Sequence, residues 1–238
     1  MARIEVSGLT KHFGGVTAVD DVSFAVEPGS VTGFLGPNGA GKTTTLRMLL
    51  ALVRPDGGGA TIGGIEYADL AAPLEAVGAA LESTGFHPGR TGLDHLRAYT
   101  AAAALPSSRA AAVLDLVGLG HARGRRVGGY SLGMRQRLAL ATALLGDPAA
   151  LILDEPANGL DPQGIVWLRR FLTEYADAGR SVLVSSHVLT EMQQLVDRVI
   201  IVHRGRLVQQ ATLAELADAH GDLETAFFNL ATEQEPRP

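Results

Sequence analysis

The sequence predicts an α/β fold with a largely parallel sheet, because short β-type runs alternate with helical patterns. Residues 31–35 indicate a strand that turns through a glycine-rich loop into a helix. "ALILDEP" (150–156) indicates a buried strand ending in two acids, and "RSVLVSSH" (180–187) indicates another strand. Ligands collect at the carboxyl ends of such strands, so we expect a site there. The helix after the glycine-rich loop has an apolar face formed by Leu46, Leu49, Leu50 and Val53.

Three other regions have different patterns. Short alternating runs before residue 35 predict an antiparallel β portion, and residues 198–210 predict two strands joined at Arg204-Gly205. From residue 88 onward the pattern is helical: Thr91 and Asp94 form a capping pattern, Pro106 ends that helix, and two more helices follow. We therefore expect a single domain, 1–238. Its parts are a core (1–87 and 148–210), a helical insert (88–147) and a helical tail (211–238).

Composition excludes several functions. The chain has 238 residues and no cysteine, which excludes disulfides and thiolate metal sites. Its formal net charge is −5 and its arginines are scattered, so we expect no nucleic-acid partner. The opening "MARIEVSGLT" indicates a strand rather than a leader peptide, and the apolar runs are too short to span a membrane. Any membrane role is expected to come through a partner chain.

"GPNGAGKT", Gly36 to Thr43, fits the phosphate-binding pattern G-x-x-x-x-G-K-[ST] and stands between a predicted strand and a predicted helix. The backbone N–H groups and the helix N-terminus would hold phosphate oxygens, Lys42 would reach the terminal phosphates, and Thr43 would offer its hydroxyl to Mg²⁺. The only other lysine is Lys11, and the remaining basic residues are arginines. A lysine at position 42 therefore indicates a place where the compact ammonium group is needed rather than the broader guanidinium. The alternative is a glycine-rich turn without a ligand.

Two acids and a histidine follow predicted strands. Asp154 is placed to hold the metal, and Glu155 to polarise an attacking water as general base. Taken alone, "DEP" is equally well a charged turn before proline. His187 ends the next predicted strand, where it is placed to hydrogen-bond a γ-phosphate, although a structural role is the simpler interpretation of a lone histidine.

Two further residues stand at predicted helix starts. Ser131, in "GGYSLGMRQRL", is a predicted N-cap, and a helix start with the free N–H of Gly133 is also an anion site. Asp161 precedes Pro162, and capping with proline at the first helical position explains it fully.

With these motifs in this order, the chain resembles the nucleotide-binding subunit of ATP-binding cassette (ABC) transporters from about residue 3 to residue 215. The resemblance implies a P-loop NTPase (RecA-like) core, and it places Phe13 on the adenine ring. "LILDEP" is similar to the family's Walker B motif, "NGLDP" with Asp161 to its D-loop, and "SSH" to its switch histidine. "YSLGM" occupies the place of the signature motif, in which Ser131 and Gly133 meet a phosphate. The Walker A motif corresponds to Gly36, Pro37, Asn38, Gly39, Ala40, Gly41, Lys42, Thr43 and Thr44.

The chain departs from the family pattern in two places. Leu132 and Met134 replace a glycine and a glutamine of the signature, and Glu82 stands where the family's Q-loop has a glutamine that accepts from metal-bound water. A carboxylate there adds charge and loses a donor. Both departures resemble the branch of bacitracin-type drug and peptide exporters and related ABC-2 systems.

The resemblance implies an ATP-hydrolysing subunit that uses ATP and Mg²⁺ to drive an exporter of drugs, antibiotics or peptides. It implies a head-to-tail homodimer, in which each ATP lies between residues 36–43 of one chain and 131–133 of the other. It also implies a separate transmembrane permease, so that the chain is cytoplasmic and peripheral on the inner face of the membrane. A soluble ABC-type ATPase such as a cluster-assembly ATPase, a P-loop kinase for a small molecule, and a pure binding module remain as alternatives.

Overall fold

Two β-sheets and the helices around them form the molecule. The structure is a computed structural model that describes residues 2–81 and 85–233, with side chains as far as residue 229. Within those ranges, no helix has both the length and the apolar character needed to cross a membrane.

The smaller sheet is antiparallel and has three strands, in the order β2-β1-β4. Buried and less buried residues alternate at the start of β1, where Ile4 and Val6 point into the core. This alternation is typical of a sheet with one face covered, and it confirms the predicted antiparallel portion. The strands are β1 (Ile4–Phe13), β2 (Val16–Val26) and β4 (Gly57–Ile62).

The larger sheet has six strands in the order β5-β6-β7-β3-β8-β9 and is parallel except for β9. Its central strands are buried on both faces, since Ile152 packs toward β1 and β2 while Leu153 packs toward the helices on the other side. The predicted α/β class with a largely parallel sheet is confirmed. The strands are β3 (Ser30–Leu35), β5 (Val77–Ala80), β6 (Ala150–Asp154), β7 (Ser181–Ser186), β8 (Arg198–His203) and β9 (Arg206–Thr212).

Helices cover the larger sheet, and those between β5 and β6 form the predicted helical insert. Thr91 caps the first insert helix by accepting a hydrogen bond from the Asp94 N–H at 3.0 Å, as the capping pattern predicts. The helices outside the insert are α1 (Lys42–Leu49), α2 (Pro73–Ala76), α6 (Pro162–Asp177), α7 (Leu189–Leu195), α8 (Leu213–His220) and α9 (Leu223–Glu233). The insert helices are α3 (Gly92–Ala102), α4 (Ser108–Leu116) and α5 (Leu132–Ala143).

The structure differs from the sequence prediction in strands β4 and β5, which the sequence did not indicate. Glycine is uncommon in β-strands, yet the first three residues of β4 are glycines. β5 is four small residues long, and a Cβ at Gly78 would overlap the carbonyl oxygen of Ala143 at the end of α5. Gly78 is therefore needed for a close approach of helix to strand, which local propensity does not reveal.

Two predicted boundaries also differ. Helix α1 ends at Leu49, because Leu50 is its C-cap and Ala51 turns to φ +55°, so Val53 lies beyond the helix. Strand β9 continues to Thr212 and so includes the first two residues of the predicted tail, and Thr212 then opens α8 with a capping box.

Candidate functional site

The glycine-rich loop joins β3 to α1 at the carboxyl edge of the larger sheet, as predicted. Gly36 and Gly41 lie against neighbouring backbone, since a Cβ on Gly36 would overlap the Val202 carbonyl oxygen and one on Gly41 would overlap that of Ala18. Gly41 also has φ +96°, which favours glycine. The loop can therefore take this shape only with glycine at these positions.

Lys42 is the first residue of α1, and its side chain folds back over the loop. It is 7% exposed, and its ammonium donates to the carbonyl oxygens of Gly36 at 2.6 Å and Pro37 at 3.2 Å. A buried ammonium above a concave loop and a helix N-terminus supplies positive charge where an anion would lie.

Thr43 and Asp154 meet across the edge of the sheet, from α1 and β6. The Thr43 hydroxyl donates to Asp154 Oδ2 at 2.9 Å, and the Ser185 hydroxyl donates to Asp154 Oδ1. Asp154 is 3% exposed, and its two carboxylate oxygens are held by one residue of helix α1 and one of strand β7. These are oxygen donors, the type that Mg²⁺ prefers.

Glu155 and His187 form the second polar pair, at the ends of β6 and β7. The Nδ1 atom of His187 lies 2.8 Å from Glu155 Oε1. Glu155 has φ +51° and is held there by two bonds from its N–H, to Ser185 Oγ at 3.1 Å and to Ser185 O at 3.2 Å. A non-glycine residue in this region stores backbone strain, which here fixes the direction of a buried carboxylate.

Lys42, Thr43, Glu155 and His187 line one cleft of about 380 Å³, and Asp154 is hydrogen-bonded to Thr43 of that lining. The sequence predicted most of its lining, but it missed Asn158 and Ala18. It also missed Ser185, which holds Asp154 and Glu155 together. Ser185 is fully buried in "VLVSS", and a buried serine at the end of an apolar strand was the available signal. The lining is Ala18, Asn38, Gly39, Ala40, Gly41, Lys42, Thr43, Thr44, Glu155, Asn158 and His187.

The remaining predicted residues lie elsewhere. Ser131 is the N-cap of α5 and accepts from the Met134 N–H at 3.2 Å, which confirms the capping prediction, and its side chain is exposed. Asp161 caps α6 by accepting from the Gly164 N–H at 2.7 Å, with Pro162 first in the helix. Phe13 ends β1, is 50% exposed, and has the Lys11 ammonium 5.5 Å from its ring centroid. Glu82 lies outside the described residues.

The structure thus gathers the phosphate-binding loop, Asp154, Glu155 and His187 at one edge of a parallel sheet, with no residue from the insert among the described lining of the cleft. A strand, glycine-rich loop and helix with carboxylates at the ends of adjacent strands define a P-loop nucleotide-binding protein.

Sequence comparison narrows this class. The family described as "ABC transporter" matches residues 19–158, which is more than half of the chain. The bacitracin transport ATP-binding protein BcrA of Bacillus licheniformis is 42% identical over 210 residues, 87% of this chain and 69% of that protein. The chain belongs to the ABC transporter family, and it is an ATPase of that family.

Two other relatives extend the comparison. The daunorubicin/doxorubicin resistance ATP-binding protein DrrA of Streptomyces peucetius is 40% identical over 92% of this chain and 68% of its own length. The lantibiotic transport ATP-binding protein SrtF of Streptococcus pyogenes is 33% identical over 95% of this chain and 96% of its own length.

Solved structures agree on the fold. An ATP-binding subunit of an ABC transporter superposes with a TM-score of 0.84 at 27% identity, covering 95% of this chain and 98% of that one. A dimeric ATP-binding cassette in a post-hydrolysis state bound to ADP and Pi superposes with a TM-score of 0.79 at 22% identity, over 88% of this chain and 98% of that one. The predicted P-loop α/β core with its helical insert is therefore confirmed.

Proposed function

We propose that this chain binds and hydrolyses ATP to drive a membrane exporter of drugs, peptide antibiotics or related compounds. The observation that carries this proposal is the cleft in which Lys42, Thr43, Asp154, Glu155 and His187 converge. The transport and resistance functions named for its relatives support the choice of cargo class.

ATP enters the cleft with its phosphates over the loop. Lys42 exchanges its two carbonyl partners for phosphate oxygens, and the first N–H groups of α1 bind the same anion. Glu155 accepts a proton from the attacking water, and His187 bonds both Glu155 and the terminal phosphate. Phe13 stacks on the adenine ring from the end of β1.

Magnesium fits the donors at the edge of the sheet. Thr43 and Asp154 would hold the ion together with phosphate oxygens, and both present oxygen atoms. An ion held there would neutralise negative charge on the phosphate groups of the nucleotide. Among the described residues there is no group of three or more histidine, cysteine or acidic side chains that could hold a metal ion.

A second copy of the chain completes the site. The Ser131 side chain is exposed at the start of α5, and Gly133 lies in the same first turn, so a second chain's nucleotide can reach this helix start. Asp161 lies in the same region of the dimer interface. A separate permease holds the pair at the inner face of the membrane, in the cytoplasm.

The Glu155→Gln variant tests the chemistry. It keeps the shape of the side chain and removes the base, so we expect turnover to fall about 100-fold or more. We also expect a stable ATP-bound dimer, measured by size-exclusion chromatography with Mg-ATP. The matched control is Glu174→Gln, the same change on the exposed face of α6. Hydrolysis by Glu155→Gln at the wild-type rate contradicts the assignment of Glu155.

The membrane assignment has its own test. The chain, produced with its presumed permease, is purified from detergent-solubilised membranes, and its ATPase rate is measured with and without a candidate peptide or drug. We expect copurification and a change of rate on adding cargo. Recovery of the chain only in a soluble complex contradicts the exporter assignment and favours the alternative of a non-transport ATPase.

A further inference from the structure

The signature segment and the loop before α6 touch each other within one chain. The loop of residues 157–161, here called the connecting loop, runs from the cleft to the N-cap of α6. A Cβ placed on Gly159 would overlap the Leu132 side chain and would stand 3.1 Å from Leu132 Cβ. Gly159 has φ +75°, so glycine is favoured there by backbone and by space.

The next residue of α5 makes the same approach. A Cβ on Gly133 would lie 3.2 Å from the carbonyl oxygen of Gly159 and 3.4 Å from the Leu160 side chain. The start of α5 and the connecting loop are therefore packed to van der Waals contact, with Leu132 above Gly159. Leu132 is nonetheless 58% exposed, so the contact uses one side of the side chain.

The connecting loop in turn continues into the catalytic edge. The Asn158 N–H donates to the Glu155 carbonyl at 3.2 Å, and the Leu160 N–H donates to the Ala157 carbonyl at 3.1 Å. Asn158 and Glu155 both line the cleft. Two overlapping hydrogen-bonded turns thus join Gly159 to Glu155, which is four residues away along the chain.

We propose that Leu132 is a positioning residue that holds the connecting loop against the start of α5, and so links the two nucleotide-facing edges of one chain. The inference rests on the proposed function, in which Ser131 and Gly133 meet the partner's nucleotide while Glu155 acts on the chain's own. A glycine at position 132, as the family signature usually has, has no side chain with which to cover Gly159. The departure at Leu132 therefore adds a contact between the two edges.

The experiment compares Leu132→Ala with Leu132→Met, which keeps most of the side-chain volume. The control is Leu116→Ala, the same change at a leucine of α4 that is 53% exposed. Steady-state ATPase rates over a range of ATP concentrations give kcat, KM and the Hill coefficient. A fluorescent ATP analogue, at protein concentrations where the chain is monomeric, gives the affinity of the cleft.

We expect Leu132→Ala to lower kcat about 10-fold and to bring the Hill coefficient toward 1, since misplacement of a catalytic group by ~1 Å costs up to about 100-fold. The nucleotide affinity of the monomer stays at the wild-type value, Leu132→Met restores most of the rate, and Leu116→Ala matches wild type. Unchanged kcat and Hill coefficient in Leu132→Ala overturn the inference. So does an equal loss in Leu116→Ala.

A double-mutant cycle tests the contact itself. Gly159→Ala alone pushes against Leu132 and lowers kcat, whereas in the Leu132→Ala background part of that overlap is gone, so the further loss is smaller. Losses that simply multiply overturn the proposed contact. If the wild-type chain neither hydrolyses ATP nor forms a dimer when ATP is added, the proposed function itself is wrong. If the wild-type chain is active and the Leu132 variants keep its full activity, only the inference about Leu132 is wrong.

Discussion

The cleft and the start of α5, the two edges to which the proposed function assigns a nucleotide, are built in opposite ways. At the cleft, Asp154 is 3% exposed and accepts hydrogen bonds from Thr43 and Ser185, and Lys42 is 7% exposed and donates to carbonyl oxygens of the glycine-rich loop. At the start of α5, Ser131 is exposed, and the hydrogen bond that its side chain accepts comes from its own helix. The cleft is preorganised within one chain, whereas the helix start presents its groups to the outside.

This difference indicates which part of the proposed activity belongs to a single chain and which part needs a second chain. On the proposed function, one chain alone binds nucleotide at the cleft, because the glycine-rich loop, the start of α1 and the Lys42 ammonium already lie together in that chain. An exposed cap gains a second ligand only when another molecule brings one. Changes at the cleft should therefore alter the affinity of a single chain for nucleotide. Changes at the helix start should leave that affinity unchanged and should alter only properties that require a dimer, such as the ATPase rate.

The largest expected effect that sharpens this comparison is that of Lys42→Ala. It removes a charged donor from the cleft, and hydrogen bonds to charged groups contribute about 1.5–3 kcal/mol, so ATP affinity should fall about 10- to 100-fold. Isothermal titration calorimetry with Mg-ATP measures the loss. Lys42→Arg, which keeps the charge but widens the donor group, should recover only a small part of it. Unchanged affinity in Lys42→Ala breaks the assignment of the cleft.

A smaller effect separates capping from ligand binding at the other edge. Ser131 and Thr91 cap α5 and α3 in the same way, accepting N–H groups at 3.2 Å and 3.0 Å. Either residue changed to alanine should cost about 1 kcal/mol in the free energy of unfolding, measured by urea denaturation. Only Ser131→Ala should also lower the ATPase rate, by several-fold, with single-chain ATP affinity unchanged.

The same pair of variants can also contradict the comparison. If Thr91→Ala lowers the ATPase rate as much as Ser131→Ala does, the loss comes from helix destabilisation, and the exposed cap has no role toward a second nucleotide. If Ser131→Ala weakens ATP binding by the monomer, the start of α5 contributes to the cleft of its own chain, and the proposed division between the two edges is wrong.

The smallest expected effect concerns the stability of the insert. Burial, with a further contribution from the positive charge of Arg90, lowers the pKa of His95 below its ordinary value of 6.5. The unfolded chain then binds more protons than the folded one as the pH falls through 6.5, so stability is lost on acidification. His95→Gln should flatten the dependence of unfolding free energy on pH between 7 and 5. The exposed His121→Gln is the control, and equal slopes for the two variants contradict the assignment.

Sequence reasoning could locate the cleft because its motifs are local. A glycine-rich loop between a strand and a helix, or two acids after an apolar run, can be recognised within ten residues of chain. A serine at the end of the apolar run could be noticed at position 185, but its hydrogen bonds with Asp154 and Glu155, and the place of Asn158 in the cleft, depend on folding and could not be predicted. The contact of Leu132 with Gly159 joins two segments that are far apart in sequence, so the departure at Leu132 could be noticed but its neighbour could not be named.

Close packing and hydrogen bonds to its last carbonyl groups hold helix α5 at its C-terminal end. Gly78 leaves no space between strand β5 and Ala143, and the Arg109 guanidinium donates to the carbonyl oxygens of Leu144 at 2.9 Å and Leu145 at 3.1 Å. Twelve residues of helix span about 18 Å, at about 1.5 Å per residue. A helix that tilts by about 5° about that fixed end carries Ser131 through about 1.5 Å, half the length of a hydrogen bond. In mechanical terms, α5 is a lever arm anchored beside the larger sheet, and the contact of Leu132 with the connecting loop restrains the end that carries the serine.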